Sequence, residues 1–367
     1  MPGTIAAVAS ALPEQSGSQE ELWDFRFRHH YGDDAAARRV WLRCGVERRH
    51  GVVDPIAEGV AEWGTGQRMA RFVEEALPLG RLAIERALAR AAAPAEHVDL
   101  LAVVSCTGYA TPGLDILLAR ELRMRDDVER LHIGHMGCYA ALPALVTVGD
   151  AAAARGRLAV LLCVELTTLH VQPAVRSLEQ IVAHALFGDA AAATVVRSDG
   201  PGLELLDAAA RTDTSTAALM TWDVTDRGFR MGLSPKVPAA LRDHVAPLVD
   251  ALLARNGLER GEVGGWVVHP GGPAIVDAVG ESLELSPEAL AVSRDVLRDA
   301  GNCSSPTVLL ILERMLARGA VPADGTIVVL AFGPGLTLYG CLLRAVSGVG
   351  ERPPLARARA STSRQPA

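Results

Sequence analysis

Several features that would place a chain in a simple class are missing from this one. Its 367 residues carry no excess of positive charge: 36 Lys and Arg face 43 Asp and Glu, for a formal net charge of −7. That balance leaves no electrostatic footprint for nucleic acid or an anionic membrane, and neither partner is expected. No apolar run is expected to span a membrane, because Gly, Arg, Asp or Glu interrupts each within about 18 residues. The N-terminus lacks the basic region and hydrophobic core of a signal peptide. The six cysteines, Cys44, Cys106, Cys138, Cys163, Cys303 and Cys341, form no C-x-x-C pair and lie far apart. This argues against a zinc cluster and against a disulfide scaffold, and suits a reducing cytoplasm. What remains is 49% hydrophobic and 22% charged, ordinary for a soluble α/β protein. The length predicts a large core in two domains or two fused halves.

Buried-strand runs are predicted at Thr4 to Leu12, Val98 to Cys106, Leu131 to Ile133, Leu158 to Val164, Ala191 to Val196, Gly265 to Val268, Thr326 to Ala331 and Leu336 to Leu343. Helices are predicted over Gln19 to Cys44, Gly80 to Ala92, Leu114 to Leu122, Ala140 to Ala154, Pro238 to Leu253, Ala274 to Leu283 and Pro306 to Arg318. From Ser347 the Pro, Arg, Ser and Gly tail has no periodicity and is expected to be disordered.

An internal repeat runs through this order. A strand, a Pro-Gly loop and a helix occur at Val98 to Leu122 and again at Gly265 to Leu283, each followed by a Gly-Cys or Gly-Asn junction. Cys106 to Cys138 spans 32 residues and His269 to Asn302 spans 33. Cys138 and Asn302 therefore hold matched places, as do the loops carrying Cys106 and His269. A pseudo-two-fold packing of the halves would bring Cys138, His269 and Asn302 together.

Cys138, in Gly134 to Pro143, stands at a strand-to-helix junction, where the helix dipole favours a thiolate. On this stretch alone it is equally well a small core residue. A lone His at a strand end is more often structural, and an Asn at a helix start is normally an N-cap. Together, a Cys, a His and an Asn can hold an acyl group as a thioester and stabilise an enolate made by decarboxylation. Arg43, Arg48 and Arg49 form a basic cluster that could hold a phosphate, although a solvated charged turn is the commoner outcome.

Met136-Gly137-Cys138, Ala185-Leu186-Phe187-Gly188-Asp189, His269-Pro270-Gly271-Gly272-Pro273, Gly301-Asn302-Cys303-Ser304-Ser305 and Phe332-Gly333-Pro334-Gly335 occur in that order. With these motifs the chain resembles a bacterial-type type III polyketide synthase, of the chalcone synthase-like group in the thiolase superfamily. The resemblance covers roughly residues 4 to 343. It implies an α/β thiolase-like fold with two pseudo-repeated halves in αβαβα layers. Residues 1–203 would carry the nucleophilic Cys, 204–346 the His and Asn, and 347–367 the disordered tail.

The resemblance further implies that Cys138 is the nucleophile and that His269 and Asn302 are the oxyanion and decarboxylation pair. Phe187 would be a gate. Met231, ahead of Val237-Pro238, stands where plant members have a second gating Phe. Cys106 takes a position often held by Thr, with a second active cysteine as one option. Thr107, Tyr109, Leu169, His170, Ser304 and Phe332 would line the gate and cavity, with His170 able to shorten the chamber. Arg43, Arg48, Arg49, Gly271 and Ala274 would bind CoA. The substrates would be an acyl-CoA starter and malonyl-CoA, with no metal and no resident cofactor, in a cytoplasmic homodimer. The alternative is a single-round β-ketoacyl synthase III-like enzyme of fatty acid synthesis. A hydrolytic cysteine enzyme and a non-catalytic acyl-CoA binder have less support, because the first lacks its local signatures and the second would lose a triad member.

Overall fold

In the computed structural model, which describes residues 3–174 and 177–346, the chain forms β1 (Thr4–Ala11), β2 (Ser16–Ser18), α1 (Gln19–Leu22), α2 (Arg28–Tyr31), α3 (Ala35–Arg43), β3 (Arg48–His50), α4 (Thr65–Arg90), β4 (Leu100–Ser105), α5 (Leu114–Glu121), β5 (Glu129–Gly134), α6 (Ala141–Arg155), β6 (Ala159–Glu165), α7 (Leu178–Leu186) and β7 (Ala190–Arg197). There follow β8 (Gly202–Thr212), β9 (Met220–Thr225), β10 (Gly228–Leu233), α8 (Val237–Arg255), β11 (Val263–Val268), α9 (Pro273–Leu283), α10 (Ala291–Ala300), α11 (Thr307–Ala317), β12 (Thr326–Gly333) and β13 (Thr337–Val346). The tail expected to be disordered from Ser347 lies outside the described residues.

Nine strands form one sheet in the order β11-β12-β13-β8-β1-β7-β6-β4-β5. Its two halves repeat each other. β1 is antiparallel to β7, β7 to β6, and β6 is parallel to β4. In the same way β8 is antiparallel to β13, β13 to β12, and β12 is parallel to β11. The halves join where Thr4 and Ile5 of β1 pair with Glu204 and Leu203 of β8. The repeat ends at β5: in the second half α10 precedes the Gly301-Asn302 junction, where the first half has a strand.

Alternation along the strands sorts side chains into layers. Leu101 and Val103 of β4 face α4, while Leu100, Ala102 and Val104 face a central layer. That layer holds Leu142, Leu145 and Val148 of α6 with Ile311 and Leu312 of α11. Ile327 and Val329 of β12 close it from the other half, whereas Val328 and Leu330 pack under α8 and α9. The result is the expected αβαβα stack. Both strand faces are covered, which is why β4, β6 and β12 read as continuous apolar runs.

Four expectations need correction. Residues 19–43 are not one helix: a π-helical turn at Trp23–Phe27 interrupts it, Gly32 at φ 56° ends α2, and the Asp34 carboxylate caps α3 through Ala36 and Ala37 N–H. The helix expected at Gly80 begins at Thr65, because Phe72, Ala76, Leu79 and Ala83 continue its buried stripe past Pro78. β5 is an edge strand with no fully buried residue rather than a core strand. Finally, Gly137–Arg155 is long and apolar enough to cross a membrane, but half of it is buried between the two sheet halves.

Candidate active site

Cys138 lies in a single turn, Gly137–Tyr139, that leads from β5 into α6. Gly137 adopts φ +75°, and a Cβ there would sit 2.7 Å from Pro334 Cδ; only glycine turns the chain this sharply under that ring. His269 follows β11, its N–H donating to the Leu330 carbonyl at 2.8 Å. Asn302 precedes α11 and bridges to Phe187: its N–H donates to Leu186 O at 2.8 Å, and its carbonyl accepts from Gly188 N–H at 3.1 Å. Gly301, at φ +75°, brings the two backbones together; a Cβ would lie 2.6 Å from Leu186 O. The nucleophile candidate, the imidazole, the amide and Phe187 thus belong to four segments fixed by the repeat.

Cys138, His269 and Asn302 are each at least nine-tenths buried and line one cavity of about 640 Å³. The Asn302 side chain has a defined orientation: its Oδ1 accepts from Ser304 N–H at 2.8 Å. Its amide NH2 is therefore the group turned toward the Cys138 sulfur and the cavity. Both ring nitrogens of His269 are buried without a hydrogen-bond partner. A buried polar group left unpaired costs stability, so the ring is available to a substrate oxygen or to the thiol. Burial pushes the Cys138 thiol up to about 11, and hydrogen bonding from Ser304 and Asn302 draws it partly back. Burial drives the His269 imidazole down to about 3. Moving one proton from sulfur to ring charges both together, and their mutual attraction then opposes the desolvation cost.

Phe187 and Met231 face this cavity and two smaller chambers beside it. Gly271, Ala274 and Phe332 also line the main cavity. Cys106, Thr107 and Ser304 border an inner chamber of only about 20 Å³ behind Cys138, space for about one water. The Glu165 carboxylate lies beneath it, accepting from Cys106 N–H at 3.0 Å, Thr107 Oγ1 at 2.7 Å, Ser305 Oγ at 2.6 Å and the Cys106 thiol at 3.4 Å. Burial and that carboxylate hold the Cys106 thiol well above its usual range. The Cys106 thiol thus directs its proton at Glu165.

Other expected lining residues stand elsewhere. Tyr109 is 62% exposed, outside these cavities. Leu169 is wholly buried in the α4 layer, where its carbonyl takes Arg68 Nη1. His170 does not shorten the main cavity. It borders a separate chamber of about 70 Å³ and acts as a strut: Nε2–H donates to Thr107 O at 2.6 Å, and Nδ1 accepts from Phe229 N–H at 3.0 Å. Its ring stacks on Phe229 at 4.7 Å, and burial keeps it neutral, down to about 3.

The basic cluster divides. Arg49 is interior: it donates to Gln19 Oε1 at 3.0 Å, His184 O at 2.7 Å and Phe187 O at 2.6 Å, and lies 5.0 Å over Trp41. Arg48 points outward to Ser16 Oγ at 3.1 Å, away from the cavity. Only Arg43 stands at the mouth, and the residue one turn earlier on α3, Arg39, stands there with it. Both are exposed, and neither has an ion pair among the described residues. The i, i+4 spacing of Arg39 and Arg43 was the available signal. Glu165 was likewise readable as the one charge ending an apolar strand. Trp222, whose indole N–H donates to Cys106 O at 2.7 Å, walls off the inner chamber, and its sequence context gave no sign of this.

Models for the N-terminal and C-terminal domains of chalcone and stilbene synthases match residues 2–200 and 204–347. A 1,3,6,8-tetrahydroxynaphthalene synthase from Streptomyces peucetius subsp. caesius is 36% identical over 352 residues, which is 93% of each chain. An alpha-pyrone synthesis polyketide synthase-like protein from Mycobacterium tuberculosis is 34% identical, over 93% of this chain and 91% of its own. The crystal structure of 1,3,6,8-tetrahydroxynaphthalene synthase from Streptomyces coelicolor, a bacterial type III polyketide synthase, superposes with a TM-score of 0.88 at 29% identity, covering 93% of this chain and 99% of that one. Matched along both halves, with the repeat and the cavity already in place, the chain belongs to the chalcone and stilbene synthase family of type III polyketide synthases.

Proposed function

We propose that the chain loads an acyl group from CoA onto Cys138, decarboxylates malonyl-CoA against His269 and Asn302, and extends the acyl chain iteratively. Cyclisation then gives a pyrone, a resorcinol or another phenol. One observation carries this: the thiol, the unpaired imidazole and an amide NH2 directed at the sulfur converge on one large cavity. The Cys138 proton passes to His269 as sulfur attacks the thioester carbonyl; the C–S bond to CoA then breaks and the CoA sulfur leaves with that proton. His269 Nε2–H and the Asn302 amide then donate to the malonyl thioester oxygen, stabilising the enolate left when CO2 departs. With about 20 Å³ behind Cys138, the growing chain occupies the main cavity. Single-round β-ketoacyl synthesis has no support in the family matches, which run to chalcone and stilbene synthase models in both halves.

The CoA phosphates sit at Arg39 and Arg43, the unpaired cations at the mouth, with Gly271 and Ala274 along the pantetheine path. Arg43→Ala is expected to raise KM for malonyl-CoA several-fold with kcat little changed, because the contact is the same in ground and transition states. Arg49→Met should instead lower Tm, at a cost of roughly 1–3 kcal/mol of stability, since it leaves the Gln19, His184 and Phe187 oxygens without their donor. Steady-state kinetics beside thermal melts separate the two, and a selective KM effect in Arg49→Met would return it to the CoA site.

Trp222→Ala is expected to join the inner chamber to the chamber of about 70 Å³ that Trp222 also lines, and to shift products toward longer chains in mass spectra across a starter series. An unchanged product ladder would remove Trp222 as a boundary. The chain works as a cytoplasmic homodimer without a resident cofactor. Six free buried cysteines support the compartment, and the open sheet edge at β5, where Leu131 and Ile133 are only partly buried, supports the pairing. The test of the whole proposal is incubation with malonyl-CoA and acyl-CoA starters of graded length, scored for CO2 and for ring products.

A further inference from the structure

The nucleophile turn contains a built-in looseness. Gly137, immediately before Cys138, has no side chain to restrain its backbone, and glycine has the widest conformational range of any residue. The turn is one residue short of the helix proper, held locally by Ala140 N–H on Gly137 O at 3.0 Å. Something must stop it rocking, because misplacing a reacting atom by about 1 Å costs on the order of 10²-fold in rate.

Two reciprocal contacts do so, both to the tip of the β12–β13 hairpin. Pro334 fills the space over Gly137, where a Cβ would be 2.7 Å from Cδ. In the other direction the Tyr139 ring fills the space over Gly333, where a Cβ would be 2.6 Å from Tyr139 Cδ1 and 3.3 Å from the Met136 carbonyl. Each segment places a ring on the other's glycine, and Cys138 lies between the two points. Phe332, adjacent to Gly333, lines the cavity with Cys138, so the interlock ties the sulfur to the opposite wall. The Tyr139 hydroxyl has no hydrogen-bond partner among the described residues, and the ring alone makes the contact.

We propose that Tyr139 is a positioning residue: its ring, seated on Gly333, locks the Cys138 turn so that the sulfur stays within reach of Ser304, Asn302 and His269. This rests on Cys138 as the acyl carrier. The contact acts through shape, so a benzene ring without the hydroxyl suffices. A small residue lets the turn move, and the sulfur then loses the hydrogen bonds that favour its thiolate.

The test uses Tyr139→Ala, Tyr139→Leu, Tyr139→Phe, Gly333→Ala and the Tyr139→Ala/Gly333→Ala double variant. Two quantities are read: the rate of Cys138 alkylation by iodoacetamide against pH, and kcat with KM for malonyl-CoA. Tyr139→Ala is expected to lose roughly 10- to 100-fold in kcat, with KM held within about twofold and the alkylation profile moved to higher pH; Tyr139→Leu shows a milder form of both. Tyr139→Phe matches the parent. Gly333→Ala, whose methyl would collide with the ring, loses activity alone, but adds little to Tyr139→Ala because the methyl drops into the vacated space. The proposal is overturned if folded Tyr139→Ala or Tyr139→Leu lowers only Tm and leaves the alkylation profile unmoved. It is also overturned if Tyr139→Phe fails like Tyr139→Ala, or if the double variant loses the product of the two single losses. Alkylation reads the sulfur without turnover, so these outcomes stand apart from failure of Cys138 as acyl carrier, which would appear as activity surviving Cys138→Ala.

Discussion

Cys138→Ala protein given malonyl-CoA and an acyl-CoA starter should hold no acyl group and form no pyrone or phenol, a loss of roughly 10⁴-fold or more. The size follows from the absence of a substitute. Cys106 is the nearest other thiol in the site, but its proton is held toward Glu165 at 3.4 Å in a chamber of about 20 Å³. Cys163 and Cys303 are wholly buried, and burial raises both thiols. The His269 and Asn302 donors are untouched by the change, so slow CO2 release from malonyl-CoA should persist without condensation. Intact-mass measurement of the loaded protein and assay of CO2 check the two halves separately. Condensation at parental rates in Cys138→Ala would exclude Cys138 as the acyl carrier.

How much of this was legible in the sequence depended on what holds each element. β4, β6 and β12 are buried on both faces, and a continuous apolar run is the direct consequence. The repeat could be found because matched junctions carry glycines at Gly137 and Gly301, where the backbone requires them. β9 and β10 went unread because side-chain bonds to the backbone hold them more than burial does. Trp222 donates to Cys106 O, Gln172 to Phe229 O at 3.1 Å, Gln180 to Met231 O at 2.7 Å, and His170 accepts from Phe229 N–H. A strand secured that way leaves no alternating hydrophobic pattern. β8 leaves little pattern for a related reason, its last three residues being exposed and most of the others only partly buried.

The arginines illustrate the same limit within the site. Arg48 and Arg49 are neighbours in sequence, and on a strand neighbours point to opposite faces. β3 sends Arg48 to solvent and Arg49 under Trp41 and Phe187. In sequence the two join Arg43 in one basic cluster, and the strand divides them. The interior place of Arg49 also gives Phe187 a firmer anchor than a core aromatic would need, since its carbonyl is fixed at 2.6 Å by a buried guanidinium while its neighbours bond Asn302. The Phe187 and Asn302 backbones are thus parts of one hydrogen-bonded unit.

His269→Gln and Asn302→Ala are each expected to slow malonyl-CoA decarboxylation by roughly 10²–10³-fold, the usual cost of one oxyanion donor; Asn302→Ala slows loading less, whereas His269→Gln slows loading as well, because it removes the acceptor of the Cys138 proton. The two variants should part company with pH. Asn302→Ala leaves the imidazole to take the Cys138 proton, so iodoacetamide still alkylates the thiol near neutrality. His269→Gln removes that acceptor, and a buried thiol held up at about 11 is then almost wholly protonated at pH 7. Its thiolate fraction, and with it the alkylation rate, should climb about tenfold per pH unit from 7 to 10. The parent, able to form the thiolate–imidazolium pair, should rise far less over the same range. Raising the pH therefore restores alkylation to His269→Gln, but not decarboxylation, because an alkaline solvent supplies a thiolate and no oxyanion donor. Identical alkylation profiles for the parent and His269→Gln would leave His269 only its part in the oxyanion site. Recovery of decarboxylation together with alkylation would show that the imidazole serves the sulfur and not the enolate.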